Sequence, residues 1–128
     1  MGNNSTMKFS REIPTAVTIR HVERGRIRVG DEDFFENVVL FRDTVQRGFS
    51  PAKPGQLTTA DIDDLLNQAP EIILFGAGWN TVLPPKDIVF ALARKGIGFE
   101  TMDTPAACRT FNILVSEDRD VAAVLLID

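Results

Sequence analysis

A single cysteine, Cys108, and a single histidine, His21, are all that this 128-residue chain has of the two residue types that most often bind metals. That scarcity excludes zinc fingers, multi-histidine metal sites and Cys-x-x-Cys redox motifs by counting. An excess of positive charge is also lacking, because 14 Lys+Arg against 18 Asp+Glu give a formal net charge of −4. No general attraction to nucleic acid or to an anionic membrane surface is therefore expected. No uninterrupted apolar run approaches the roughly 18 residues that suggest a membrane span. The opening Met1-Gly2-Asn3-Asn4-Ser5-Thr6 is polar and lacks the charged-then-apolar order of a secretory signal. Residues 1–14 are expected to form a largely flexible N-terminus. One thiol and no export signal predict a cytoplasmic protein.

What is present is ordinary for a globular domain: 44% apolar and 25% charged residues, which excludes wholesale disorder. A chain of this length buries about two thirds of its unfolded surface, so a single domain over residues 15–128 needs neither metal nor disulfide for its core. The first third reads as strands. Residues 16–22 alternate in part and Arg26-Ile27-Arg28-Val29 alternates strictly. Between them Glu23-Arg24-Gly25 supplies a hairpin, with Gly25 free to take positive φ. Gly30-Asp31 marks a further turn, and Val38-Val39-Leu40-Phe41 closes the antiparallel part. Residues 42–57, with Gly48, Ser50, Pro51, Pro54 and Gly55, read as a long connection.

From Thr58 the rhythm becomes helix, strand, helix, strand. Thr58 and Asp61 resemble a capping box, and Ile62, Leu65, Leu66 and Ala69 line one helix face before Pro70. Asp61, Asp63 and Asp64 fit a solvated helix start better than a carboxylate metal site, since the helix dipole favours acids there. Glu71 to Phe75 predicts a buried strand ending at Gly76-Ala77-Gly78. Pro84-Pro85 opens a helix whose inner stripe is Ile88, Val89, Leu92 and Ala93. Residues 97–102 predict the next strand. Thr104 and Pro105 then serve as N-cap and first residue of a helix that buries Ala107, Phe111, Leu114 and Val115, before a fully apolar strand over 121–127. Alternating strands and helices behind an antiparallel β unit make an α/β domain.

Gly76-Ala77-Gly78 is not a dinucleotide loop, because the third glycine position holds Thr81 and the helix starts only near Pro84. The glycines are expected to let the chain leave its strand tightly. If the strands ending at Phe75 and Met102 are parallel neighbours, the 76–80 loop and Asp103 to Arg109 border one crevice. Two readings of it stand. Gly76, Gly78, Asp103, Thr104, Cys108 and Arg109 form a site for a small anion at a helix N-terminus. Alternatively, Thr104 only caps while Arg109 pairs with Asp103 or Glu100. Cys108, in the first turns of that helix beside Arg109, is either an activated thiolate or a buried small hydrophobe. The one imidazole that could serve it, His21, lies on a predicted N-terminal strand that nothing in the sequence brings to Cys108, and it reads as an edge-strand surface residue. Trp79, followed by Val82 and Leu83, either forms an exposed apolar contact patch with Phe49 or folds back over the sheet end.

The string Asp103-Thr104-Pro105-Ala106-Ala107-Cys108-Arg109-Thr110 resembles the domain-of-unknown-function 498 family, the MTH 938-like fold, which includes the mitochondrial complex I assembly factor 3. The resemblance extends upstream through Pro70 to Gly78 and Pro84-Pro85, and downstream through Asn112, Ser116-Glu117 and Val121-Ala122-Ala123. One departure is Ala77, where relatives look more like Leu-Gly-Thr-Gly. The resemblance implies a three-layer α/β fold with a mixed central sheet. It implies no enzymatic activity and no cofactor. Its implied role is a non-enzymatic interaction or assembly-type protein, with a protein partner at the Trp79 loop. Binding of, or action on, a small anionic metabolite is the alternative.

Overall fold

Side-chain alternation along the central strands decides how this chain is layered. The computed structural model describes residues 9–12, 18–49, 54–80 and 82–128. A six-stranded sheet runs in the order β1 (Phe9–Glu12), β6 (Thr44–Arg47), β5 (Val38–Phe41), β9 (Val121–Leu125), β7 (Ile72–Gly76) and β8 (Gly98–Met102). The sheet is mixed: β7 is parallel to both β8 and β9, whereas β5 is antiparallel to β9 and to β6. Leu40, Leu74, Ala123 and Leu125 point to one face, and Val39, Phe41, Ile73, Phe75, Ala122 and Val124 to the other, all buried. Strands buried on both faces need a layer on each side.

Those layers follow from the amphipathic segments. Over the first face lies α3 (Thr104–Ser116), which buries Ala107, Cys108 and Phe111. A second, three-stranded antiparallel sheet, β2 (Ile19–Glu23), β3 (Arg26–Val29) and β4 (Glu32–Phe34), packs on α3 and adds Ile27, Val29 and Phe34 to the same core. Asn112 of α3 clamps β2 by accepting from the Ile19 amide at 2.8 Å and donating to its carbonyl at 2.9 Å. Over the second face lie α1 (Asp63–Gln68) and α2 (Lys86–Arg94), which contribute Leu65, Leu66, Ile88 and Leu92. The expected α/β architecture, three layers with a mixed sheet at the centre, is the one observed.

Several local expectations are corrected. Residues 9–12, placed within a flexible terminus, pair as β1 with β6; residues 1–8 and 13–17 lie outside the described residues. The connection expected over 42–57 instead begins with β6, joined to β5 by a two-residue turn. Arg42 takes φ 57° there. Its guanidinium lies 4.3 Å from the Phe41 ring centroid and 3.3 Å from Asp120, which holds a residue that lacks glycine's freedom in the left-handed region. Residues 50–53 of that connection lie outside the described residues.

The capping box forms, with the Thr58 amide donating to Asp61 at 2.8 Å, but it opens a 3-10 turn (Thr59–Ile62) that α1 continues. In α2 only Ile88 and Leu92 face inward. Val89 is 42% exposed and Ala93 is exposed, because the short helix rests on the sheet along a single i, i+4 row. The last strand ends at Leu125 rather than Ile127, because Ile127 bonds to the Asn37 side chain and the Gly25 amide, outside any strand.

Candidate functional site

The carboxyl ends of β7 and β8 lie side by side, with Gly76 opposite Met102. That is the arrangement expected to open a crevice, but here it is filled by Thr104. The Thr104 amide donates to the Gly78 carbonyl at 2.7 Å, and the Gly78 amide donates to Thr104 Oγ1 at 2.9 Å. The same hydroxyl donates to the Leu126 carbonyl at 2.6 Å, and the Leu126 amide donates to the Gly76 carbonyl at 3.0 Å. Thr104 is wholly buried, and its amide and hydroxyl are both engaged within the chain.

The two glycines are required for different reasons. A Cβ on Gly76 would sit 3.0 Å from Thr104 Oγ1 and 3.0 Å from Leu125 Cδ2, whereas Gly78 has open space but φ +95°. One allows a close approach and the other a left-handed turn.

Asp103, not Thr104, is the N-cap of α3. Its side chain accepts from the Ala106 amide at 2.8 Å, which moves Pro105 from the first to the second helical position. Thr104 cannot cap because its hydroxyl is drawn inward to Leu126. With Asp103 turned to the cap, Arg109 makes no ion pair with it or with any other acid among the described residues, and it lies exposed at the rim. Cys108 is buried, and desolvation pushes its thiol up to about 12 despite the Arg109 charge beside it. It is a protonated core residue at neutral pH rather than a thiolate. His21 lies on β2, bonded to Glu23 at 2.6 Å, and is not brought to Cys108.

The aromatic pair is separated. Phe49 is buried in the core with Leu57 and Phe41, so it contributes nothing to an exposed patch. Trp79 is half-buried. The Arg24 guanidinium, at the tip of the β2–β3 hairpin, lies 5.3 Å from its ring centroid. Its indole Nε1 is buried with no hydrogen-bond partner among the described residues. Beyond it, Val82 and Leu83 are 44% and 77% exposed. A feature missed in the sequence is Phe90 on α2, 57% exposed; helical spacing signals it, because position 90 lies nearly opposite the buried Ile88–Leu92 row.

A cavity of about 540 Å³ lies at the other end of β9, between Arg42, Asp43, Val115 and Arg119. Its arginines are paired, Arg42 with Asp120 and Arg119 with Glu71.

The sequence pattern of the family described as "Protein of unknown function (DUF498/DUF598)" matches residues 19–126. The chain belongs to that family. Among its relatives, NADH dehydrogenase (ubiquinone) 1 alpha subcomplex assembly factor 3 of Mus musculus is 31% identical over 116 residues, 90% of this chain and 63% of the relative. The "13 kDa major membrane protein" of Francisella tularensis subsp. holarctica is 38% identical over 65 residues, 51% of this chain and 53% of the relative. The alignments thus span less than two thirds of the length of either curated relative. The same fold is seen in a Bordetella pertussis protein described as a Mth938-like domain, with TM-score 0.77 and 24% identity over 100% of this chain and 93% of that one. Among the described residues no helix is long and apolar enough to cross a membrane.

Proposed function

We propose that the chain is a non-enzymatic interaction or assembly-type protein whose partner is another protein, engaged at the loop after β7. One contrast carries this reading. At the sheet end where an α/β protein usually receives a ligand, Thr104 engages the Gly78 amide and the Leu126 carbonyl internally, while Val82 and Leu83, in the loop after β7, stand open to solvent. An apolar, solvent-facing loop beside a half-buried tryptophan suits a protein contact better than it suits a small charged metabolite. The likeness to a mouse protein named as an assembly factor supports the same class of role. A cytoplasmic location belongs to this reading, supported by the single unpaired thiol. Recovery of the chain in the membrane fraction of lysed cells, as the Francisella relative's name would suggest, would contradict the location.

The test against catalysis or metabolite binding is thermal unfolding of the whole chain with inorganic phosphate and with small dicarboxylates. The reading predicts no saturable rise in Tm. A saturable rise that Arg109→Gln removes would overturn it in favour of an anion site at the rim of α3.

A further inference from the structure

We propose that the outer face of α2 is a self-association surface, on which a second copy of this chain packs its own α2 antiparallel about a two-fold axis near Phe90. The proposal does not depend on the Trp79 loop. α2 buries Ile88 and Leu92 and turns the opposite side outward, where Phe90 is 57% and Val89 42% exposed. An outward phenylalanine in the middle of a nine-residue helix is an apolar feature that the described residues leave largely uncovered.

The charges around it indicate what covers it. Asp87 lies in the first turn and Arg94 in the last, and both are exposed. Neither has an ion-pair partner among the described residues. Seven residues separate them, about 10 Å along the axis, so they are too far apart to pair within one helix. At about 100° per residue, both fall on the same flank of Phe90, roughly 40–60° from its direction.

A face with an acid at one end, a base at the other and an aromatic between them is its own complement under a two-fold rotation. Antiparallel packing centred between Phe90 and Ala91 sets each Asp87 against the partner copy's Arg94 and brings the two Phe90 rings together. The same register sets Lys86 level with Lys95 of the second copy, but at about 100° per residue Lys95 points roughly 140° away from Phe90, so the two lysines are not brought face to face. A different partner protein would require no such symmetry. The contact is small, so the dimer is expected to form and dissociate with concentration.

The symmetry also supplies the test: sedimentation equilibrium of the full chain over a concentration series. Wild type is expected to pass from monomer to dimer. Asp87→Arg alone and Arg94→Asp alone each replace two attractions by two repulsions, so each should weaken association by about tenfold or more. An equimolar mixture of the two variants should associate again, because the arginine introduced in one chain faces the aspartate introduced in the other. The double variant Asp87→Arg/Arg94→Asp should do the same. All three substituted chains alter exposed side chains, and circular dichroism checks that they fold. A wild-type chain that stays monomeric at its highest soluble concentration overturns the proposal. So does association that neither single reversal weakens, or a mixture no stronger than its components.

Discussion

Thr104 and Gly78 bind each other twice, amide to carbonyl at 2.7 Å and hydroxyl oxygen to amide at 2.9 Å. The pair joins the start of α3 to the loop leaving β7, and the Thr104 hydroxyl adds the carbonyl of Leu126 from the chain's last residues. Three segments far apart in sequence thus meet at one buried oxygen.

Replacing that oxygen is therefore expected to be expensive. Thr104→Val keeps the shape but leaves the Gly78 amide and the Leu126 carbonyl buried without this partner. Each such group costs about 1–3 kcal/mol, so a loss of at least about 2 kcal/mol is expected in urea unfolding. A Thr104→Val protein as stable as wild type would show that water reaches both groups.

Gly76→Ala tests the close approach by a different mechanism. The added methyl would meet the Thr104 Oγ1 and Leu125 Cδ2 atoms at 3.0 Å each. Overpacking of this kind costs about 1–3 kcal/mol. Gly78→Ala meets no atom, and its cost comes only from φ +95°, about 1–2 kcal/mol. Measured together by chemical denaturation, the two should both destabilise. A neutral Gly76→Ala would mean that helix and sheet can part without loss.

Cys108 should behave as a core residue with a pH signature. Native protein at pH 8 should not react with a thiol-specific reagent on a timescale faster than opening, and should react fully in denaturant. The folded thiol titrates near 12 against 9.0 for an unperturbed one. Between those values the unfolded chain releases its proton while the folded chain keeps it. Stability is therefore undiminished below about pH 9 and falls as pH rises towards about 12. Cys108→Ala removes this contribution, so its stability should decline less steeply over that window than that of wild type. Parallel curves would contradict the assignment.

β7 was legible in the sequence as a short apolar run ending at Gly76, β8 as the segment between Gly96 and the helix start at Thr104-Pro105, and so was the hairpin that Gly25 turns. β6 was hidden because its turn places Arg42 in the left-handed region, where composition points to glycine or asparagine, and tertiary contacts with Phe41 and Asp120 supply the compensation. The role of Thr104 was hidden for a related reason. Asp103 and Thr104 are both good caps locally, and only the distant Leu126 carbonyl decides which of them turns inward. Phe49 read as exposed because its loop is rich in glycine and proline, yet it sits beside Phe41 and Leu57 in a core assembled from residues distant in sequence. Local pattern thus carried the elements, and long-range contacts determined which of the candidate site residues face solvent.

The most direct test of the central claim is affinity capture from native lysate with the full chain as bait, comparing wild type with Leu83→Asp and with Trp79→Ala. Leu83 is 77% exposed, so its substitution should leave Tm unchanged, and any effect on capture reports the surface alone. A protein retained by wild type, lost with both folded variants and recovering this chain in the reciprocal experiment is the predicted result. Undiminished capture by the folded Leu83→Asp and Trp79→Ala proteins would contradict it.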